Sequence, residues 1–102
     1  MGKDFHSRMN LITLKFSVAA EDQSELIELL DELNTFWGDQ GFTVSLFRDT
    51  TDKDKFQQIF LSENEVEDLV HLIQTKPEAK RVFDWIKETG SRVIISVMEQ
   101  IL

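Results

Sequence analysis

From Asn10 to Val18 the chain alternates strictly, with Ile12, Leu14, Phe16 and Val18 on one side and Thr13, Lys15 and Ser17 on the other. This is the two-residue period of a half-buried strand. Between Glu21 and Gln40 the period lengthens, because Leu26, Leu29, Leu30, Leu33, Phe36 and Trp37 fall at three- and four-residue steps. An amphipathic helix is predicted there, ended by Gly38 and Gly41. Alternation resumes from Phe42 to Arg48, followed by the turn-rich Asp49 to Lys55 and a third strand from Phe56 to Leu61, so these two strands should form a hairpin. Ser62 and Glu65 have the spacing of a capping box and predict a second helix starting there, with the stripe Val66, Leu69, Val70 and Ile73. That helix has to break at Pro77, which lacks an amide donor, and restart with Pro77 at its first position. Ala79, Val82, Phe83 and Ile86 carry the restarted segment's apolar side, Gly90 closes it, and Arg92 to Leu102 gives a fourth strand.

The order strand, helix, strand, repeated once, is the split βαβ arrangement. It predicts an α+β, ferredoxin-like domain over residues 10–102, a four-stranded antiparallel sheet with its helices on one face. Residues 1–9, polar apart from Phe5 and the methionines, read as a flexible N-terminal arm, and Met9 is an alternative start to Met1. The second sheet face should mix Thr13, Lys15, Ser17, Ser45 and Ser96 with Phe47, Ile59, Leu61, Ile94 and Met98. A wholly solvated face would be more polar. Self-association through this face with two-fold symmetry, giving a homodimer, lets one patch cover itself.

Charge and composition narrow the partners. Of 102 residues, nineteen are acidic and eleven basic, for a formal net charge of -8. Such a surface repels nucleic acid and anionic membranes, so neither is expected as a partner. The absence of cysteine removes disulfides, thiolate metal sites and a cysteine nucleophile, and fits a reducing, cytoplasmic setting. No apolar run approaches the roughly twenty residues that cross a bilayer as a helix.

The strand NLITLKFSV, the long first helix, the hairpin of FTVSLFR and KFQQIFLSE, the proline-broken second helix and the closing RVIISV together resemble the dimeric α/β-barrel superfamily. Within it, the chain is similar to the antibiotic biosynthesis monooxygenase-like domains over residues 10–102. That resemblance implies two ferredoxin-like subunits packed sheet to sheet as a dimeric α/β barrel. It also implies a pocket between helices and sheet for an aromatic or quinol-type molecule, which some members oxidise with dioxygen and no cofactor. Several members use an Asn on the first strand, a Trp at the end of the third and a His after the helix break. Here Asn10 is read as preceding the strand, Phe60 stands near the Trp position, and EAKRVFDWIKE has no histidine.

Aromatic side chains are the remaining candidates for a site. Trp37 and Trp85, with Phe16, Phe36, Phe60 and Phe83, are expected to line an apolar pocket between helix and sheet if they do not simply pack the core. His71 lies off its helix's apolar stripe and is expected at the surface, while His6 falls in the arm, so no metal site is expected. Glu21, Glu25, Glu28 and Glu32 form a solvated helix face opposite the leucines. No phosphate-cradling glycine loop or nucleophile elbow occurs. Three readings remain open: a monooxygenase-like domain acting on an aromatic or quinol-type small molecule, a non-catalytic ligand-binding or stress-related dimer that has lost the reactive residues, and a purely structural dimer.

Overall fold

The structure, a computed structural model, describes residues 8–102. Four strands and four α-helices follow in the order β1 (Asn10–Ser17), α1 (Gln23–Glu32), α2 (Asn34–Asp39), β2 (Thr43–Arg48), β3 (Lys55–Ser62), α3 (Val66–Thr75), α4 (Pro77–Thr89) and β4 (Ile94–Glu99), with a 3-10 turn at Ala20–Asp22. The strands make one antiparallel sheet in the order β2-β3-β1-β4, the ferredoxin-like topology expected from the element pattern. Register sorts the side chains. Ile12 pairs with Phe60 and Val97, and Phe16 with Phe56, so the even-numbered residues of β1 and β3 point toward the helices.

These side chains meet Leu26, Leu30, Leu33 and Trp37 from the first helical layer and Leu69, Ile73, Val82 and Ile86 from the second, and all are buried. Burial of this apolar area is the main favourable term in folding. Beside it, Gln23 fixes the corner of the fold, because its Nε2 donates to the carbonyls of Val18 and Lys53, each at 2.9 Å. One buried amide thus joins β1, α1 and the β2–β3 turn.

Four local expectations change. The helix expected over Glu21–Gln40 breaks at Leu33, whose amide bonds the carbonyl of Leu30 at 3.2 Å; the chain tightens there, just before the weak helix formers Asn34 and Thr35. Asn10, read as preceding the strand, is its first residue, pairs with Ser62 and Glu99, and donates from Nδ2 to the carbonyl of Asn64 at 2.9 Å. The capping box is shifted: Glu65 caps α3 and the carboxylate of Asp68 accepts the Glu65 amide at 2.9 Å. Ser62 completes β3 instead, its hydroxyl donating to the carbonyl of Gly41 at 2.8 Å and accepting the Asn64 amide at 3.0 Å. The fourth strand is shorter than Arg92–Leu102, since β4 covers Ile94–Glu99 and only its neighbour β1 offers backbone partners.

Pro77 opens α4 at its first turn, as expected. Gly41, at φ 88°, ends the α2 segment in the left-handed region that suits a residue without a Cβ. In the stretch expected to be an arm, Met9 exchanges backbone and side-chain bonds with Gln100, prolonging the β1–β4 contact, while residues 1–7, with Phe5 and His6, lie outside the described residues. Among the described residues no helix is long and apolar enough to cross a membrane.

Candidate functional site

The helix-side space expected to form a pocket is almost filled. A crevice of about 20 Å³ remains, walled by Leu14, Leu33, Trp37, Gln58, Phe60 and Phe83 among others. That is room for about one water molecule. Of the six aromatic residues expected around a pocket, Trp37, Phe60 and Phe83 line this crevice. Phe16 stacks on Phe56 with ring centroids 6.0 Å apart and borders a different cleft. Phe36 and Trp85 pack half-buried against the core and border neither space.

An aromatic cluster sets the crevice's inner end. Trp37 meets Phe36, Phe42 and Phe60 edge to face, with centroids 5.0, 5.8 and 5.1 Å apart. These geometries suit the ring quadrupoles and hold the indole in one orientation. Its Nε1 is buried and has no hydrogen-bond partner. A buried donor left unpaired costs about 1–3 kcal/mol, so an acceptor placed against it would be favoured by that amount. Gln58, only 4% exposed, brings a polar amide into the same wall. A shallow cleft of about 140 Å³ between α1 and β2, bordered by Asp31, Asn34 and Val44, shares the lining residues Leu30 and Gln58 with the crevice.

No titratable side chain borders the crevice. The pair whose protonation is displaced lies elsewhere, on α4. There Lys80 donates to Asp84 at 2.8 Å, and this bond with the paired charge lowers the Asp84 carboxyl and raises the Lys80 ammonium. His71 is exposed on α3, and no group of three or more metal-ligating side chains gathers among the described residues.

The other sheet face carries a larger concavity, a cleft of about 850 Å³ at the end formed by Lys15, Phe47, Lys55, Ile59, Arg92 and Ile94. Sequence reasoning placed most of these residues on the open face but saw no cleft. Its walls come from strands far apart in the chain, so no local motif announces it.

No protein-family sequence model matches the chain, and no curated protein matches it. Solved structures do. A conserved Bacteroides thetaiotaomicron protein of unknown function, suggested to be an oxidoreductase, is 19% identical with a TM-score of 0.73, over 92% of this chain and 99% of that one. A candidate antibiotic biosynthesis monooxygenase from Deinococcus radiodurans is 18% identical with a TM-score of 0.74, over 91% and 93% of the two chains. Another from Caulobacter crescentus reaches a TM-score of 0.75 at 15% identity, over 94% and 92%. The chain therefore has the fold of the monooxygenase-like structures that its sequence resembles.

Proposed function

We propose that the protein is a monooxygenase-like domain that pairs through its open sheet face and takes an apolar aromatic or quinol-type molecule between sheet and helices. One observation carries the binding part: Trp37, whose buried indole N–H has no hydrogen-bond partner, lines a crevice whose wall is apolar apart from the amide of Gln58. A phenolic or quinone oxygen brought against the indole would accept from it. A ring is much larger than the crevice, so binding requires its wall to open, and half-buried Phe83 is a lining side chain that could move to allow it. Leu30 and Gln58, which border both the crevice and the cleft at Asp31 and Asn34, are the side chains that would have to part for entry from that cleft.

For a quinol, oxidation removes two electrons and two protons, and dioxygen accepts both pairs as hydrogen peroxide. The residues bordering the crevice contribute orientation and exclusion of water, not proton transfer. Their lack of a titratable group favours a second reading, a domain that binds such a molecule without oxidising it. Mixing reduced naphthoquinol with the protein under oxygen separates the two. Quinone formation above the protein-free rate supports oxidation, tryptophan quenching without turnover supports binding alone, and neither signal would overturn both. Trp37→Phe is expected to fold, with Trp85 left as the fluorescent reporter, and to weaken naphthoquinol binding about fivefold, the worth of one net hydrogen bond of about 1 kcal/mol.

Pairing has its own support. Across the sheet, register sets Leu61, Leu11 and Met98 in one row on the open face, and Ile59 with Thr13 and Ser96 in the next. Leu61 is 38% exposed and Met98 68%. A contiguous apolar band of this kind is the usual mark of a protein interface. Leu61→Glu with Met98→Glu is expected to give the mass of one chain in sedimentation equilibrium, where the unaltered protein gives two. A single-chain mass for the unaltered protein at micromolar concentration would remove the pairing.

A further inference from the structure

Every residue that walls the helix-side crevice is buried except Phe83. Phe83 is half-buried, so its ring borders the enclosed space and also reaches the surface. It is the wall side chain with the least protein over it. What stands over it is a cation, because Lys87 Nζ lies 5.4 Å from the centre of the Phe83 ring. The two residues are four apart in α4, which makes them neighbours on one helix face. Helical side chains lean toward the N-terminus, so Lys87 is carried back over the turn that holds Phe83.

The hold on Lys87 is weak. An ammonium over a phenyl face at an exposed position gains little. The two ion pairs among the described residues, Lys55–Asp52 and Lys80–Asp84, do not include Lys87. Asp84, one turn earlier on α4, feels the Lys87 charge, but its carboxylate takes the Lys80 ammonium at 2.8 Å. None of the exposed acids of α1, Glu25, Glu28 or Glu32, pairs with Lys87. Opening the wall at Phe83 disturbs this arrangement. A ring that enters there pushes the phenyl aside, and the ammonium loses the face it rests on. It then takes a new partner or returns to water.

We propose that the molecule taken into the crevice carries an anionic group beside its apolar ring, and that Lys87, at the rim made by Phe83, receives that group. This inference rests on the reading of the crevice as a binding site and adds a charge and an orientation to it. The ring lies inside with its oxygen against the Trp37 N–H. The anion stays at the rim, where water still reaches it, so no charge has to be buried. No titratable side chain borders the crevice itself, so nothing deeper in offers the anion a partner. A chain of net charge -8 disfavours anions at long range, and a preference for one therefore requires a cation placed at the site. Lys87 in this position selects an aromatic acid over a neutral aromatic molecule of the same size.

Two phenols with one ring system make the test. 2-Naphthol is neutral, and 6-hydroxynaphthalene-2-sulfonate adds an anion at the end away from the hydroxyl. Isothermal titration calorimetry on the full chain is expected to show the sulfonate binding about fivefold more tightly than 2-naphthol, the upper range for a partly exposed ion pair. Lys87→Gln is expected to abolish that preference, while 2-naphthol affinity changes less than about twofold and the melting temperature holds, as for other exposed substitutions. Lys87→Arg keeps a cation and should keep the preference. Lys76→Gln removes the same charge about three turns away, at the start of α4, and should leave the preference intact. Equal or weaker binding of the sulfonate by the unaltered protein would overturn the inference, and so would a preference that survives Lys87→Gln. An equal loss for both probes in that variant would mean that the ammonium serves the ring alone, and a matching loss in Lys76→Gln would reduce the effect to net charge; either overturns it as well. Binding of neither probe would remove the crevice reading and this inference with it. 2-Naphthol binding that weakens in Trp37→Phe, without a sulfonate preference, removes this inference and leaves the crevice reading standing.

Discussion

Phe60→Ala is expected to lower the unfolding free energy by about 3–5 kcal/mol, the range for emptying a buried aromatic site. Phe60 is 1% exposed and sits where Trp37 and Phe42 both meet it edge to face, at 5.1 and 6.0 Å. Its removal deletes two aromatic contacts and leaves a void that the antiparallel ladder of β1, β3 and β2 prevents from collapsing. Against a typical total stability of about 5–15 kcal/mol, that is a large fraction. Urea denaturation checks it through a lowered midpoint at unchanged slope. A loss below about 1 kcal/mol would show that the helical layer closes over the site freely.

Gly90→Ala should be the second most damaging single change, at about 1–3 kcal/mol or more. A Cβ there would stand 2.2 Å from the Ser17 carbonyl oxygen and 3.0 Å from a Val18 methyl. The penalty is steric, because Gly90 has φ -110°, open to any residue. Relief means separating the end of α4 from the end of β1, which strains the Ser91 amide to Ser17 carbonyl bond at 3.0 Å and the Ser17 amide to Ser91 Oγ bond at 2.8 Å. Gly38→Ala is the internal control. Gly38 lies in α2 with nothing within 4 Å of the added methyl, so a gain of about 0.5–1 kcal/mol is expected from helix propensity. Thermal unfolding of the two variants should move in opposite directions.

Periodicity carried the architecture well. The alternation of β1 and β3 assigned each side chain to its face, and the register agrees for all ten residues expected on the open face, from Thr13 to Met98. Pro77 marked the boundary of α4 because its chemistry leaves little choice. The capping motif was less decisive. Ser62 and Glu65 fit one box and Glu65 and Asp68 another, and tertiary contact decides, since the Ser62 hydroxyl is already committed to Gly41. The break at Leu33 was hidden by an unbroken apolar stripe, which continues across the tightened turn.

The candidate site was less legible than the fold. Aromatic content pointed to a helix-side wall, and Trp37, Phe60 and Phe83 stand in it, but side-chain volume fills the space that a pocket would need. Gln58 was available as a signal, a polar residue between Phe56 and Phe60 on the strand face that turns toward the helices. The cleft on the open sheet face had no such local mark. Lys15, Lys55 and Arg92 converge only because β1 lies between β3 and β4 in the sheet.

That central position of β1 also has a temporal side. Its neighbours begin pairing at Ser62 and Glu99, more than fifty and more than eighty residues downstream of Asn10. As the polypeptide leaves the ribosome, the first strand waits for almost the whole sequence before its second flank is covered, and such long loops close slowly. Helices will form early while the hydrophobic sheet stays open, so chaperone occupancy on nascent chains should peak before residues 94–99 emerge and fall sharply once they do.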